Sequence, residues 1–217
     1  SFEGSIPSET KLLSKISKKI LKNKNTTLIL GLLRTDEKKV FNSLVFLNSE
    51  GDIIHNYDKI KLVPFGEYIP FRQYLGALTD MLAPKDFTSG KLKSNPTVYG
   101  FENIITLICY EILFTKEIFK RLSKNTNLLI NITNDAWFGK TIGPYQHLAL
   151  AKIKAVEFGL PLARVANTGI SAYISPYGEI IGRIPLDVKG VKTFDLIPAL
   201  DSTLYKIYGE YIFAVLI

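Results

Sequence analysis

Apolar residues in this chain arrive in short runs, and between those runs the pattern changes to a helical one. The runs at 27–33, 41–48, 104–109 and 127–132 are bounded by turn or charged residues and are too short for globular helices, so they read as strands. Leu12, Leu13, Ile16, Ile20 and Leu21 instead recur at helical spacing with lysines on the opposite face. Pro7 and Ser8 supply the entry to that helix. The same pattern predicts helices at 71–82, 116–123 and 144–158, the last ended by Gly159-Leu160-Pro161. Ser49-Glu50-Gly51-Asp52 predicts a turn returning the chain as a hairpin partner at 52–57. Further strands are predicted at 97–101, 162–166, 171–175, 179–184 and 191–195, with a turn at Pro176-Tyr177-Gly178. Strands alternating with helices define an α/β chain whose apolar sheets are covered by helices in one domain.

The side-chain inventory narrows the chemistry. With 47% hydrophobic and 22% charged residues among 217, the chain has the composition of a globular protein. Its formal charge is +7, but the lysines gather at 11–24 and 116–124, where they form polar faces of amphipathic helices. No motif interleaves basic and aromatic residues, so a nucleic-acid partner is not expected. A single cysteine excludes an internal disulfide, and with His55 and His147 as the two histidines a zinc site is not expected either.

Cys109 ends an apolar run, and Glu111 follows two residues on. Taken alone, a lone cysteine is more often a buried structural residue. A nucleophilic cysteine needs a field that favours the thiolate, or a base to take its proton. Lys59 and Glu67 are candidates, on an irregular segment where Pro64 and Gly66 sit among large apolar residues and charges are costly without a purpose. Glu3 is a third candidate; alone it reads as an exposed terminal acid. His147, near the start of a helix, reads as a packing or capping residue. Trp137, taken alone, reads as a core residue.

Taken together these segments have a family pattern. Residues 57–70 read Tyr-x-Lys-x-x-Leu-Val-Pro-Phe-Gly-Glu-Tyr-x-Pro, and 108–111 read Ile-Cys-Tyr-Glu. Residues 131–139 read Asn-Ile-Thr-Asn-Asp-Ala-Trp-Phe-Gly, followed by Gly143-Pro144-Tyr145-Gln146-His147. Then come Arg164-Val-Ala-Asn167-Thr-Gly169-Ile-Ser171 and Pro176-Tyr177-Gly178. In order and spacing this resembles the nitrilase superfamily and, within it, the apolipoprotein N-acyltransferases. The resemblance implies an αββα sandwich, incomplete at its amino-terminal end, with a Glu-Lys-Cys triad. Cys109 then matches the nucleophile, Lys59 the triad lysine that stabilises thiolate and oxyanion, and Glu3 the triad glutamate that acts as general base. The residue before Glu3 is Phe2, where the family usually has proline. Glu67, Tyr110 and Glu111 match positions that support the site, and Trp137 a lipid-facing one. No metal or organic cofactor is implied.

The resemblance further implies a phospholipid acyl donor, an apolipoprotein acceptor and a place at the bacterial inner membrane, with the catalytic part facing the periplasm. Residues 1–203 correspond to the catalytic domain without its first strand and helix, and 204–217 to the start of a membrane helix. A soluble amidase or carbamoylase using the same three residues, or an inactive remnant of the acyltransferase, are the alternatives.

Overall fold

The computed structural model describes residues 6–23, 25–75, 86–98 and 101–212. Glu3 lies outside the described residues. The chain divides into two compact units, Ser1–Lys93 and Ser94–Ile217.

In the first unit, helix α1 (Ile6–Ile20) precedes an antiparallel sheet of β1 (Leu28–Asp36), β2 (Lys39–Leu47) and β3 (Ile53–Asp58), in that order. The predicted hairpin is present. Its turn is organised by Asn48, whose Oδ1 accepts the N–H groups of Glu50 and Asp52 at 3.0 and 2.8 Å. A bulge between Phe46 and Leu47 shifts the register there. Leu13 of α1 packs with Leu32, Val45 and Leu47 of the sheet, and all four are buried. Of the helix predicted at 71–82, the described part is the single turn α2 (Arg72–Leu75); residues 76–85 lie outside the described ones.

The second unit carries a five-stranded sheet in the order β4 (Ile105–Ile108), β5 (Leu129–Asn134), β6 (Leu162–Asn167), β7 (Ser171–Ile174), β8 (Ile180–Ile184). β4, β5 and β6 run parallel, and β7 and β8 continue antiparallel. Helices α3 (Thr115–Arg121) and α4 (Gly143–Phe158) supply the crossovers that parallel strands require. Ile118 of α3 and Leu148, Ala151, Ala155 and Phe158 of α4 pack on Ile105, Leu107, Leu129 and Leu162. Helix α4 ends at Gly159, in the left-handed conformation with φ 59°. The turn at 176–178 joins β7 to β8 as predicted.

Two predicted strands are not formed among the described residues. At 97–101, where 99–100 lie outside the described residues, Val98 and Phe101 form an isolated bridge. At 191–195 the chain is irregular, with Val191 almost fully exposed. Its apolar anchor, Phe194, stacks on Tyr173 at 5.3 Å between ring centroids, and Ile197 N–H donates to the Tyr173 hydroxyl. The segment is thus held by side-chain packing rather than by a backbone ladder. Helix α5 (Leu204–Tyr208) opens the segment read as the start of a membrane helix. Among the described residues no helix is long and apolar enough to cross a membrane.

Candidate active site

Lys59 follows directly on β3. Its backbone N–H donates to Asn42 O at 2.8 Å and its carbonyl accepts from Gly90 N at 2.8 Å. The side chain is 1% exposed, and its Nζ donates to Glu67 Oε2 at 2.6 Å. Glu67 also accepts from Val63 N at 2.8 Å and from Asn42 Nδ2 at 3.2 Å. The Pro- and Gly-containing loop therefore curls back so that its own carboxylate meets the lysine that began it. Phe65, at φ 62°, makes the tight part of that curl and is itself exposed.

The residue before Lys59 is anchored too. The Arg34 guanidinium grips Asp58 with Nε at 3.1 Å and Nη2 at 2.9 Å, and Ser43 Oγ donates at 2.6 Å. Burial pushes the Asp58 carboxyl up, but Arg34 and Ser43 outweigh it and hold it below the ordinary carboxylate range. Nothing in the sequence pattern singled out Arg34 and Asp58; two opposite charges on the strands that flank β2 were the available signal.

Cys109 sits where β4 ends, half-buried and at φ 55°, in the left-handed region that non-glycine residues rarely enter. The chain turns there into a 3-10 turn, Cys109–Leu113. Both flanks of the turn are tied down. Glu111, 1% exposed, accepts the Ile108 N–H at 2.9 Å. Asn131 Nδ2, from the neighbouring strand β5, faces the carbonyls of Leu107 and Cys109 at 3.3 and 3.2 Å. Tyr110 stacks on His147 at 5.0 Å between centroids and meets the edge of Phe138 at 5.9 Å. Burial pushes the Tyr110 phenol up, and the charges of Cys109 and Asp135 add to the effect.

Beneath this turn lies a charged cluster. Arg164 of β6 donates through Nη2 to Asp135 Oδ2 at 2.8 Å and through Nη1 to Asn131 Oδ1. Both charged side chains are 0% exposed. Thr133 Oγ1 donates to Asp135 Oδ1 at 2.9 Å. His147 Nδ1 lies 3.0 Å from Asp135 Oδ1 and 3.1 Å from Arg164 Nη2, so its tautomer decides which of the two it bonds. His147 is a buried network member, in keeping with a packing role. Burial raises the Asp135 carboxyl, but hydrogen bonding to His147 and the Arg164 charge bring it below its ordinary value. Gly169 makes room for the carboxylate: a Cβ there would fall 2.3 Å from Asp135 Oδ2. Asn131 and Arg164 carried no assigned role in the sequence. Their signal was a polar residue inside an otherwise apolar strand.

Trp137 lies in a 3-10 turn, Asp135–Phe138, and is 80% exposed, so it is not a core residue. Phe138 is half-buried and packs on Tyr110 and His147. The turn thus points Asp135 inward and Trp137 outward. Among the described residues no group of His, Cys, Asp and Glu could hold a metal ion.

Cys109 thus stands at the carboxyl end of a parallel strand in a helix-covered sheet, the edge at which α/β folds place their functional residues. The chain belongs to the carbon-nitrogen hydrolase family, which it matches over residues 8–202. Its relatives include the apolipoprotein N-acyltransferase of Allorhizobium ampelinum, 41% identical over 186 residues that make up 81% of this chain and 35% of that one. The apolipoprotein N-acyltransferase of Rhodopseudomonas palustris is 38% identical over 205 residues, 89% of this chain and 38% of that one. The chain therefore spans little more than a third of the length of these relatives. Among solved structures it resembles an amidase from Nesterenkonia sp., with a TM-score of 0.60 at 18% identity, over 83% of this chain and 64% of that one. The fold is thus the α/β fold of the nitrilase superfamily, as the sequence motifs implied.

Proposed function

We propose that this chain is the catalytic part of an apolipoprotein N-acyltransferase. The observation that carries the reading is Cys109 itself: the one thiol of the chain stands half-buried on a strained, tied-down turn at a strand end. Strain of that kind persists where surrounding bonds over-determine it, and it is concentrated at functional turns. The approximately 40% identity to acyltransferases that share the family supports the substrate class.

In this reading the Cys109 thiolate attacks an ester carbonyl of a phospholipid. The Sγ–acyl bond forms, the ester C–O bond breaks, and the lysophospholipid leaves with the proton that the thiol gave up. The α-amino group of a diacylglyceryl-modified apolipoprotein then attacks the thioester. The amide forms, the C–S bond breaks, and the amine proton returns to the thiol. Glu3 carries the proton as general base and acid. Lys59 stabilises the thiolate and each oxyanion, held in place by Glu67. Tyr110 and Glu111 support the nucleophile turn, and Trp137 contacts lipid. No cofactor takes part. The enzyme works at the bacterial inner membrane, with this part facing the periplasm and 204–217 leading into a membrane helix.

The test is mass spectrometry of the membrane-embedded protein after exposure to phosphatidylethanolamine. An acyl adduct on Cys109 that vanishes in Cys109→Ala is expected. An adduct on another residue, or none, would sink the reading. Turnover of small amides with no dependence on lipid would favour a soluble amidase in its place.

A further inference from the structure

We infer that Arg164 is a positioning residue for the Cys109 nucleophile, acting through Asn131 and keeping a buried positive charge behind the thiol. The inference rests on Cys109 being the nucleophile proposed above. Three observations lead to it. A guanidinium at 0% side-chain exposure is expensive, and well-packed apolar residues would serve the sheet at least as well if packing were its whole task. Asp135 is its ion-pair partner, yet it takes up the Nη2 edge and leaves Nη1 to Asn131. Asn131 in turn spends its amide hydrogens on the carbonyls of Leu107 and Cys109, either side of the point where β4 gives way to the turn.

The result is a directed relay. The cation draws on the Asn131 carbonyl, which polarises the amide and strengthens its donation to Cys109 O. The turn is held at the φ of 55° that aims the thiol. The charge is felt as well: burial pushes the Arg164 guanidinium below its ordinary value, and the charges of Asp135 and, more weakly, Cys109 oppose that. This cation is expected to act on the sulfur when the sulfur carries negative charge, and the pH dependence of its reaction is where that would show. Among the described residues of this unit, the other ionisable groups in contact with the turn or its network are Tyr110, Glu111, Asp135 and His147. Arg164 is the permanent cation among them.

Alkylation by iodoacetamide tests this without any acyl donor, with Cys109→Ala run in parallel to subtract reaction at amines. The rate is read by intact mass at pH 7 and pH 10 on the full 217-residue chain. The double variant Asp135→Asn/Arg164→Met removes the cation without stranding a buried carboxylate. It should react about tenfold more slowly at pH 7 and within threefold of the parent at pH 10, the energetic equivalent of one charge interaction. Arg164→Lys, which keeps the charge, should recover most of the pH 7 rate. A folded double variant whose pH 7 to pH 10 ratio equals the parent's overturns the inference, even if its melting temperature has dropped. Should the double variant not fold, Asn131→Leu decides: it is close in size, adds no charge and cannot donate to Cys109 O. Its ratio should fall, and an unchanged ratio overturns the inference equally. If phospholipid acylation fails while these ratios behave as stated, the acyltransferase reading has failed and the positioning role stands.

Discussion

Lys59 Nζ lies 2.6 Å from Glu67 Oε2, with the lysine side chain 1% exposed and the glutamate 12%. A buried ammonium is tolerable because this carboxylate faces it, and the carboxylate is fixed by Val63 N–H and Asn42. Removing one member strands the other. Glu67→Ala should therefore destabilise the protein by about 3 kcal/mol. The pair Lys59→Met/Glu67→Gln keeps an oxygen for Val63 N–H, lets a flipped Asn42 amide accept from its NH2 and leaves no charge unmatched, so it should recover most of that loss. Urea unfolding of the three proteins checks both statements. Equal midpoints for Glu67→Ala and the parent would show that the pair carries no stability.

The Arg34–Asp58–Ser43 contact gives a pH dependence with a definite sign. The folded-state carboxyl of Asp58 is depressed, with burial opposing and Arg34 and Ser43 prevailing. A depressed folded value means that the unfolded chain binds the proton more readily. The contribution to stability is then complete above the unfolded value of about 3.9 and is lost as pH falls through the folded one. Urea midpoints of the parent and of Asp58→Asn, taken from pH 7 down to pH 3, should differ most at the neutral end and converge below about pH 4. Asp135 and Asp86 are depressed as well and lie in both proteins, so the comparison isolates Asp58. A gap that widens on acidification would contradict the assignment.

Gly169 faces the buried carboxylate so closely that a methyl group cannot be added without displacing it. Gly169→Ala would place its Cβ 2.3 Å from Asp135 Oδ2 and 2.6 Å from Asp135 Cβ, both part of a packed interior. Overpacking of this kind costs about 1–3 kcal/mol. The displaced carboxylate would also loosen its grip on Arg164 Nη2, so alkylation of Cys109 at pH 7 should slow in the same variant. Thermal unfolding and the alkylation rate measured together test this. A drop in stability with no change in rate would confine the glycine to a packing role.

Much of the frame could be read from the chain because hydrophobic period and turn chemistry act locally. The hairpin around Asn48, helix α4 with its Gly159 cap, and the run of apolar residues in β4 and β5 are all written in short windows. The predicted strand at 191–195 failed for the opposite reason. It is short, its apolar residues Val191 and Phe194 are three apart, and Phe194 found an aromatic partner in Tyr173 while the backbone found no ladder. The site divides in the same way. Cys109, Lys59 and Glu67 sit in motifs that are legible as runs of neighbours. The Arg164–Asn131–Cys109 relay joins three adjacent strands that parallel pairing brings side by side, Asn131 opposite both Leu107 and Arg164. No window of sequence contains that register. A buried Asn or Arg within an apolar strand hints that a partner exists without saying where.

Trp137 offers the sharpest separation between stability and function. Its side chain is 80% exposed, and Ile142, on the same connection between β5 and α4, is 67% exposed. Substituting a residue that packs on so little changes folding by less than about 0.5 kcal/mol. Trp137→Ala should therefore melt with the parent. If the proposed function is right, an indole on this turn lies where an amphipathic ring gains most, at a lipid–water boundary. Transfer of acyl chains from phospholipid vesicles should then fall several-fold, while alkylation of Cys109 by the small, water-soluble iodoacetamide stays at the parental rate. Loss of both would place Trp137 in the support of the nucleophile. Loss of neither would remove it from the lipid-contacting surface, whatever the fate of Cys109.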